Sequence, residues 1–223
     1  LALAARHRLA VIEDDPYGDL YYDREPPPPL KALDRHEGVI YLRTFSKTVF
    51  PGLRVGWAVA PEPVIRRLSL EKQYVDLHSN NIAQWLLYRF IATGRLDEHL
   101  AMVRQEYRLR RDATAQALRR YAGDRLSYAV PEGGFYFWCR LTGSRVTTRS
   151  LLPEAGRQGV SVVPGDAFYP GQEGEKEFRL CFTTNDAAGL QEGVKRLVRA
   201  IDLAEKSTGP AGRRPAEPLP PII

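Results

Sequence analysis

The sequence predicts an α/β protein in two parts, a mixed sheet with flanking helices followed by a smaller α/β domain. Three observations lead to that class. Short apolar, β-branched runs alternate with helical stretches from Leu1 to about residue 105. Leu96–Ala122 then reads as one helix, long enough to join two domains. After Gly123 short strand-like runs return with helices between and after them, dividing the chain into 1–105, 106–206 and a final stretch 207–223.

The elements follow from local chemistry. Residues 1–9 read as the end of a helix feeding a strand at Leu9–Glu13. Asp15-Pro16 has the chemistry of a helix start, with Asp as cap and Pro in the first turn. Pro26–Leu30, PPPPL, is a stiff surface connector. Val39–Leu42 and Val55–Ala60 are strands, rich in β-branched and apolar residues. Pro61-Glu62-Pro63 breaks the second of these and opens a helix through about Leu77, and Asn80–Thr93 forms another. In the second part, Leu126–Val130, Phe135–Leu141, Val160–Val163 and Phe178–Phe182 are strand-like, with helices near Ser150–Gln158 and Ala187–Leu203. From Ser207 onward, STGPAGRRPAEPLPPII is rich in Pro and Gly and is expected to be disordered.

With 43% hydrophobic and 26% charged residues, the 223-residue chain is neither collagen-like nor fully disordered. Two cysteines are too few for a disulfide scaffold and, with no apolar run near the ~18 residues of a membrane span, suggest a cytoplasmic, reducing setting and no membrane. The formal net charge of +5 raises the question of nucleic acid. The densest basic stretch, Arg104–Arg120, carries Glu106 and Asp112 among its arginines and reads as the solvated face of a helix. It lacks the mixed basic and aromatic pattern of a recognition module, so no nucleic-acid partner is expected from this segment. Residue 1 is Leu, and the one methionine is Met102. Arg6, His7 and Arg8 interrupt the opening apolar stretch, which argues against a signal peptide. The sequence is therefore expected to open inside a domain, with a further segment upstream.

Several kinds of site lack their residues. His7, His36, His78 and His99 show no paired metal-ligand spacing, and Cys139 and Cys181 stand 42 positions apart (181 − 139), so no metal site is expected. The chain contains no GxGxxG, no GxxxxGK[ST] and no GxSxG. Metal-assisted hydrolysis, dinucleotide binding and triad chemistry all lose support.

What remains is Y-L-R-T-F-S-K-T-V-F-P-G-L-R-V-G-W, residues 41–57. A strand delivers Thr44 and Ser46 and then Lys47, and Arg54 follows just before a second strand. A lone lysine in such a loop is ordinarily solvated. Here it follows an apolar strand, whose carboxyl end faces a ligand crevice in an α/β sheet. Thr44, Ser46 and Arg54 together suit a phosphate, since hydroxyls donate to its oxygens and a guanidinium grips them bidentately. A lysine beside a phosphate ester suggests a Schiff base with a carbonyl cofactor. V-I-E-D-D-P-Y, residues 11–17, is the second constellation, again at a strand end. Asp14 and Tyr17 offer a carboxylate and a phenol to one crevice. A pyridine cofactor needs both, the carboxylate keeping the ring nitrogen protonated and the phenol donating to the ring oxygen.

With these residues the chain resembles the C-terminal part of a fold-type I pyridoxal-phosphate (PLP) aminotransferase of class I/II. DDPY is similar to the family's Asp-x-x-Tyr pair, and TFSKTVFPGLRVGW to its cofactor-lysine segment. The similarity continues through EYRLRRDATAQAL, PEGGFYFW (Pro131–Trp138), GVSVVPGDAF and FRLCF, in the family's order, to about residue 204. The texture resembles the branch of 2-aminoadipate and aromatic aminotransferases, and also the aminotransferase-like domain of winged-helix regulators. The resemblance implies the C-terminal part of a PLP-transferase large domain followed by a small α/β domain, with pyridoxal 5'-phosphate as cofactor.

Carried over by position, the resemblance implies that Lys47 attaches the cofactor and shuttles the proton, Asp14 pairs with the ring nitrogen and Tyr17 with the ring oxygen. Thr44, Ser46 and Arg54 would hold the phosphate, and Arg179 would clamp the substrate α-carboxylate. Trp57 and Tyr136 read as packing. Substrates would be an amino acid and a 2-oxo acid, and the full-length protein a homodimer. Phosphate-capping amides and a ring-stacking aromatic would lie upstream, leaving these 223 residues inactive alone. The alternative is an effector-sensing domain of a transcriptional regulator. In such regulators the paired aspartates tend to run straight into Tyr, so Pro16 favours the enzyme.

Overall fold

Pairing register organises the first part of the chain. Val11–Asp14 (β1) and Val39–Thr44 (β2) run parallel, and Gly56–Val59 (β3) joins β2 antiparallel, in the order β1-β2-β3. The two-residue period of a strand sends Val39 and Tyr41 to one face, where both are buried, and Ile12, Ile40 and Leu42 to the other, where Ile12 is exposed. The same part of the chain holds Ala2–Arg6 (α1), Glu62–Val75 (α2), Asn81–Ala92 (α3) and the start of Arg95–Ala117 (α4). Asn80 caps α3 by accepting the Ala83 amide at 3.1 Å. The structure, a computed structural model, describes residues 1–143, 145–171 and 173–207.

Antiparallel pairing builds the second sheet. Leu126–Tyr128 (β4), Tyr136–Leu141 (β5), Val163–Pro164 (β6) and Glu177–Cys181 (β7) form the order β4-β5-β7-β6. Alternation is clean here. Phe137, Cys139, Leu141, Phe178 and Leu180 are buried on one face, while Tyr136, Trp138, Arg179 and Cys181 take the other. Leu190, Val194, Leu197 and Ile201 line one side of Ala187–Ser207 (α6) at helical spacing and complete the core with Leu151 and Ala155 of Thr148–Arg157 (α5). The expected α/β class therefore holds, as a mixed sheet and an antiparallel sheet, each with helices.

The chain divides into two compact units, Leu1–Glu106 with Glu132–Gly134, and Tyr107–Pro131 with the chain from Phe135 onward. Main-chain bonding explains the excursion of Glu132–Gly134 into the first unit. The Tyr22 amide donates to Glu132 O at 2.8 Å, and the Gly134 amide to Leu20 O at 2.9 Å. A Cβ on Gly133 would lie 2.5 Å from the Leu20 carbonyl oxygen, so only glycine allows this approach.

Several elements differ from their sequence-level reading. No helix starts at Asp15-Pro16; the residues form a turn, because the Asp15 carboxylate takes tertiary partners instead of capping amides. The α-helical part ends at Ala117 and widens into a π-turn, Leu118–Ala122, with Leu118 and Ala122 buried. The strand expected at Val160–Val163 reduces to Val163–Pro164, since Gly159–Val162 is not paired. Helix α5 starts before Ser150, at Thr148, through a reciprocal capping box between Thr147 and Ser150. Helix α6 runs past Leu203 through Ser207, where the hydroxyl donates to Leu203 O at 3.0 Å. Disorder expected from Ser207 onward thus does not include Ser207, and residues 208–223 lie outside the described residues.

The two cysteines occupy opposite faces of the second sheet, which keeps them apart. Cys181 pairs with Tyr136 and shares its face, whereas Cys139 points into the core. Burial pushes the Cys139 thiol up to about 12. Iodoacetamide is therefore expected to label Cys181 in the native protein and Cys139 only after unfolding, read by peptide mass spectrometry. Labelling of Cys139 at the native rate of Cys181 would contradict this core.

Candidate active site

Strand direction brings most of the sequence-derived residues together. Because β1 and β2 are parallel, both end at one edge of the sheet, with Asp14 opposite Leu42 in register. The chain leaves that edge through Asp15–Tyr17 after β1 and through Phe45–Lys47 after β2. β3 runs the other way, so its first residue, Gly56, pairs with Thr44 and sets Arg54 beside the same edge. Asp14, Tyr17, Thr44, Ser46, Lys47 and Arg54 are thus grouped by topology. Carboxyl ends of parallel strands are where α/β sheets place ligands.

The hydroxyls and the guanidinium form a continuous chain. Thr44 Oγ1 lies 2.9 Å from Ser46 Oγ, and the Ser46 amide donates to Thr44 Oγ1 at 3.1 Å. Arg54 Nη1 donates to Ser46 Oγ at 3.4 Å and to Pro51 O at 3.1 Å, with Arg54 itself in the left-handed region at φ 54°. A non-glycine residue there is uncommon and marks a locally imposed conformation. This donor set, two hydroxyls and a guanidinium on one strand-to-strand connection, suits a phosphate monoester.

Lys47 sits in a tight turn over residues 45–49. The Val49 amide closes it on Phe45 O at 2.9 Å, and His99 Nε2 of α4 lies 2.9 Å from Thr48 O. Thr48 is buried, which fixes the turn from below. The Lys47 side chain is half-buried and, among the described residues, makes no hydrogen bond or ion pair. The Asp14 carboxylate is exposed and likewise has no such partner among the described residues. A cleft of about 830 Å³ opens beside Tyr17, lined also by Tyr21, Arg24, Pro26 and Glu132.

A network that residue patterns did not reveal holds the turn between Asp14 and Tyr17. Tyr41 Oη donates to Asp15 Oδ2 at 2.7 Å, and Arg43 reaches Asp19 at 2.6 Å and Asp15 at 3.8 Å. The Arg43 guanidinium lies 5.9 Å from the Trp57 ring centroid. Burial, reinforced by the bond to Asp15, pushes the Tyr41 hydroxyl up to about 12. Tyr41 and Arg43 are two apart on β2, so both face away from Asp14 and Thr44. The signal in the sequence is that i, i+2 pair, readable only once β1 and β2 are known to be neighbours.

Arg179 lies in the second unit, on β7, opposite Trp138 on one side and Val163 on the other. Its Cζ stands 4.1 Å from the Tyr136 ring centroid and 5.1 Å from that of Phe168. Nε is buried with no hydrogen-bond partner, and the guanidinium makes no ion pair among the described residues. A structural ion pair, the ordinary role of a strand arginine, is not what holds it. An orphaned buried donor of this kind suits an acceptor such as a carboxylate. Among the described residues no group of three or more His, Cys, Asp or Glu side chains converges to hold a metal ion, and no helix is long and apolar enough to cross a membrane.

Comparison with known proteins bears on these residues. The family model described as aminotransferase class I and II matches residues 1–197. Aromatic-amino-acid aminotransferase 1 of Thermococcus litoralis is 39% identical over 201 residues, which are 90% of this chain and 48% of that protein. The HTH-type transcriptional regulator YisV of Bacillus subtilis is 40% identical over 195 residues, 87% of this chain and 40% of the regulator. Among solved structures, LysN, the α-aminoadipate aminotransferase of Thermus thermophilus complexed with N-(5'-phosphopyridoxyl)-L-leucine, superposes with a TM-score of 0.86 at 36% identity, covering 91% of this chain and 52% of LysN. The chain thus spans about half the length of the relatives it matches.

Proposed function

The chain belongs to the class I and II aminotransferases, and from that premise we propose that the protein transfers an amino group between an amino acid and a 2-oxo acid, with pyridoxal 5'-phosphate as cofactor. The observation that carries this reading is the convergence of Asp14, Tyr17, Thr44, Ser46, Lys47 and Arg54 at one edge of the first sheet. The phosphopyridoxyl group in LysN supports the choice of cofactor. When bound, pyridoxal phosphate supplies an electron sink for cleavage at the substrate Cα.

The residues divide the work by their chemistry. Thr44 and Ser46 donate hydroxyl hydrogen bonds to the phosphate, and Arg54 neutralises its charge. Asp14 keeps a proton on the pyridine nitrogen, and Tyr17 donates to the ring oxygen. Lys47 Nζ would hold the cofactor covalently until the substrate amine displaces it, and the freed amine would carry the proton from the substrate Cα. Arg179 binds the substrate α-carboxylate, a role supported by its unpartnered Nε. The assembly we assign to the full-length protein, from its family, is a homodimer.

Incubating the full-length protein with pyridoxal phosphate, 2-oxoglutarate and a panel of amino acids tests the proposal. Multiple-turnover glutamate formation is the expected result. The likeness to YisV carries a second reading, a sensing domain of a regulator in which occupancy rather than turnover is the output. Cofactor binding without turnover on any donor would replace the first reading by the second.

A further inference from the structure

Resting on the reading of Arg179 as the carboxylate binder, we infer that Tyr136 and Phe168 are positioning residues that fix the Arg179 guanidinium plane for that carboxylate. The geometry is specific. Arg179 Cζ lies 4.1 Å from the centroid of Tyr136 and 5.1 Å from that of Phe168. A ring face attracts a cation through its quadrupole, and a guanidinium held against two rings spends none of its N–H donors on them. In the usual alternative a carboxylate side chain orients an arginine and competes with the ligand for those N–H donors. Arg179 makes no such ion pair among the described residues, and its Nε is buried and unpartnered. Two rings orient the guanidinium without consuming its hydrogen bonds.

Each ring is held by independent contacts. Tyr136 is two residues from Trp138, which faces Arg179 directly in register, so the ladder sets Tyr136 on the arginine's face of the sheet. Phe168 ends a 3₁₀ turn, Gly165–Phe168, that follows β6. A Cβ on Gly165 would lie 2.7 Å from the Glu177 carbonyl oxygen, so this close approach of the turn to β7 requires glycine. The Trp138 ring meets Phe168 edge-on at 5.3 Å between centroids, and Trp138 Nε1 donates to Glu177 Oε2 at 3.2 Å. Tyr169 Oη donates to the same carboxylate oxygen at 2.6 Å. Glu177 therefore anchors the aromatic shell without touching the guanidinium.

Tyr136→Leu, Phe168→Leu, Tyr136→Phe and Arg179→Met are made in the full-length protein loaded with pyridoxal phosphate. L-Tyrosine and L-2-aminoadipate serve as donors, and tyramine as a probe without the carboxylate. Tyr136→Leu and Phe168→Leu are expected to raise KM for the better donor about tenfold each, the size of a cation–π contribution, with kcat within about twofold. Tyr136→Phe keeps the ring face and restores the wild-type KM. Visible absorbance titration shows unchanged cofactor affinity in all four, and the dissociation constant of tyramine does not move. Unchanged KM in the two Leu variants, with a raised KM in Arg179→Met, overturns the clamp alone. A parallel loss of tyramine binding and cofactor affinity assigns the rings to packing and also overturns it. Unchanged KM in Arg179→Met removes the carboxylate role itself and the clamp with it.

Discussion

Lys47→Ala is expected to reduce amino transfer by at least about 10⁴-fold while leaving the unfolding midpoint in place. Positioned proton transfer by a side chain contributes about 10²–10⁴-fold, and the same amine is the group that attaches the cofactor, so both contributions go together. Stability is a separate matter. The Lys47 side chain makes no hydrogen bond or ion pair among the described residues, and the turn around it is closed by main-chain bonds and by His99 against Thr48 O. A substitution of that kind changes stability by about 0.5 kcal/mol or less. Single-turnover rates and thermal unfolding of the full-length protein measure the two effects independently. Lys47→Arg retains the charge but is a poor proton carrier at neutral pH, so it is expected to fail nearly as badly as alanine. More than a tenth of wild-type activity in Lys47→Ala would remove the lysine from the chemistry.

Phe137→Ala carries the largest expected effect on stability. The Phe137 side chain is fully buried on β5, edge-on to Tyr128 at 5.8 Å and to Phe182 at 5.6 Å between centroids. Its neighbours on the core face, Cys139, Phe178, Phe182 and Leu180, are themselves buried, and the antiparallel ladder restrains the backbone that could otherwise collapse around a void. Truncation of a buried phenylalanine costs about 3–5 kcal/mol through lost transfer energy and the cavity left behind. A domain of ordinary stability has about 5–15 kcal/mol to lose, so the second unit becomes marginal. Denaturant unfolding followed through the tryptophans reads the change. A loss under about 1 kcal/mol would show that Phe137 is not packed as described.

The two readings of residues 15–17 show where sequence reasoning reaches and where it stops. Asp14 and Tyr17 were legible because a carboxylate and a phenol at a strand end are a local pattern. Asp15, beside them, reads as a helix cap from the same local chemistry, yet its carboxylate meets Tyr41 and Arg43. Nothing within residues 11–17 could reveal that, since the partners lie on the neighbouring strand. Tyr136 repeats the lesson in the second unit. It reads as packing in PEGGFYFW, and only the pairing of β5 with β7 brings it against Arg179. The α6 helix shows the opposite limit, because its apolar spacing carries it through Ser207 despite the Pro- and Gly-rich composition that follows.

Sequence by itself determined the α/β class, the strand-end position of Lys47 and the hydroxyl and guanidinium set of Thr44, Ser46 and Arg54. The class rests on strand and helix periodicity along the chain, and the site set on turn chemistry and donor types within the 17 contiguous residues 41–57. Tertiary structure alone decided that β1 and β2 are parallel neighbours, so that Asp14 and Lys47 leave one sheet edge, and that Arg179 is held by aromatic faces instead of by a carboxylate. The physical reason is that side-chain chemistry is carried by each residue, whereas register and stacking arise only when remote segments exchange main-chain hydrogen bonds and bury their apolar faces together.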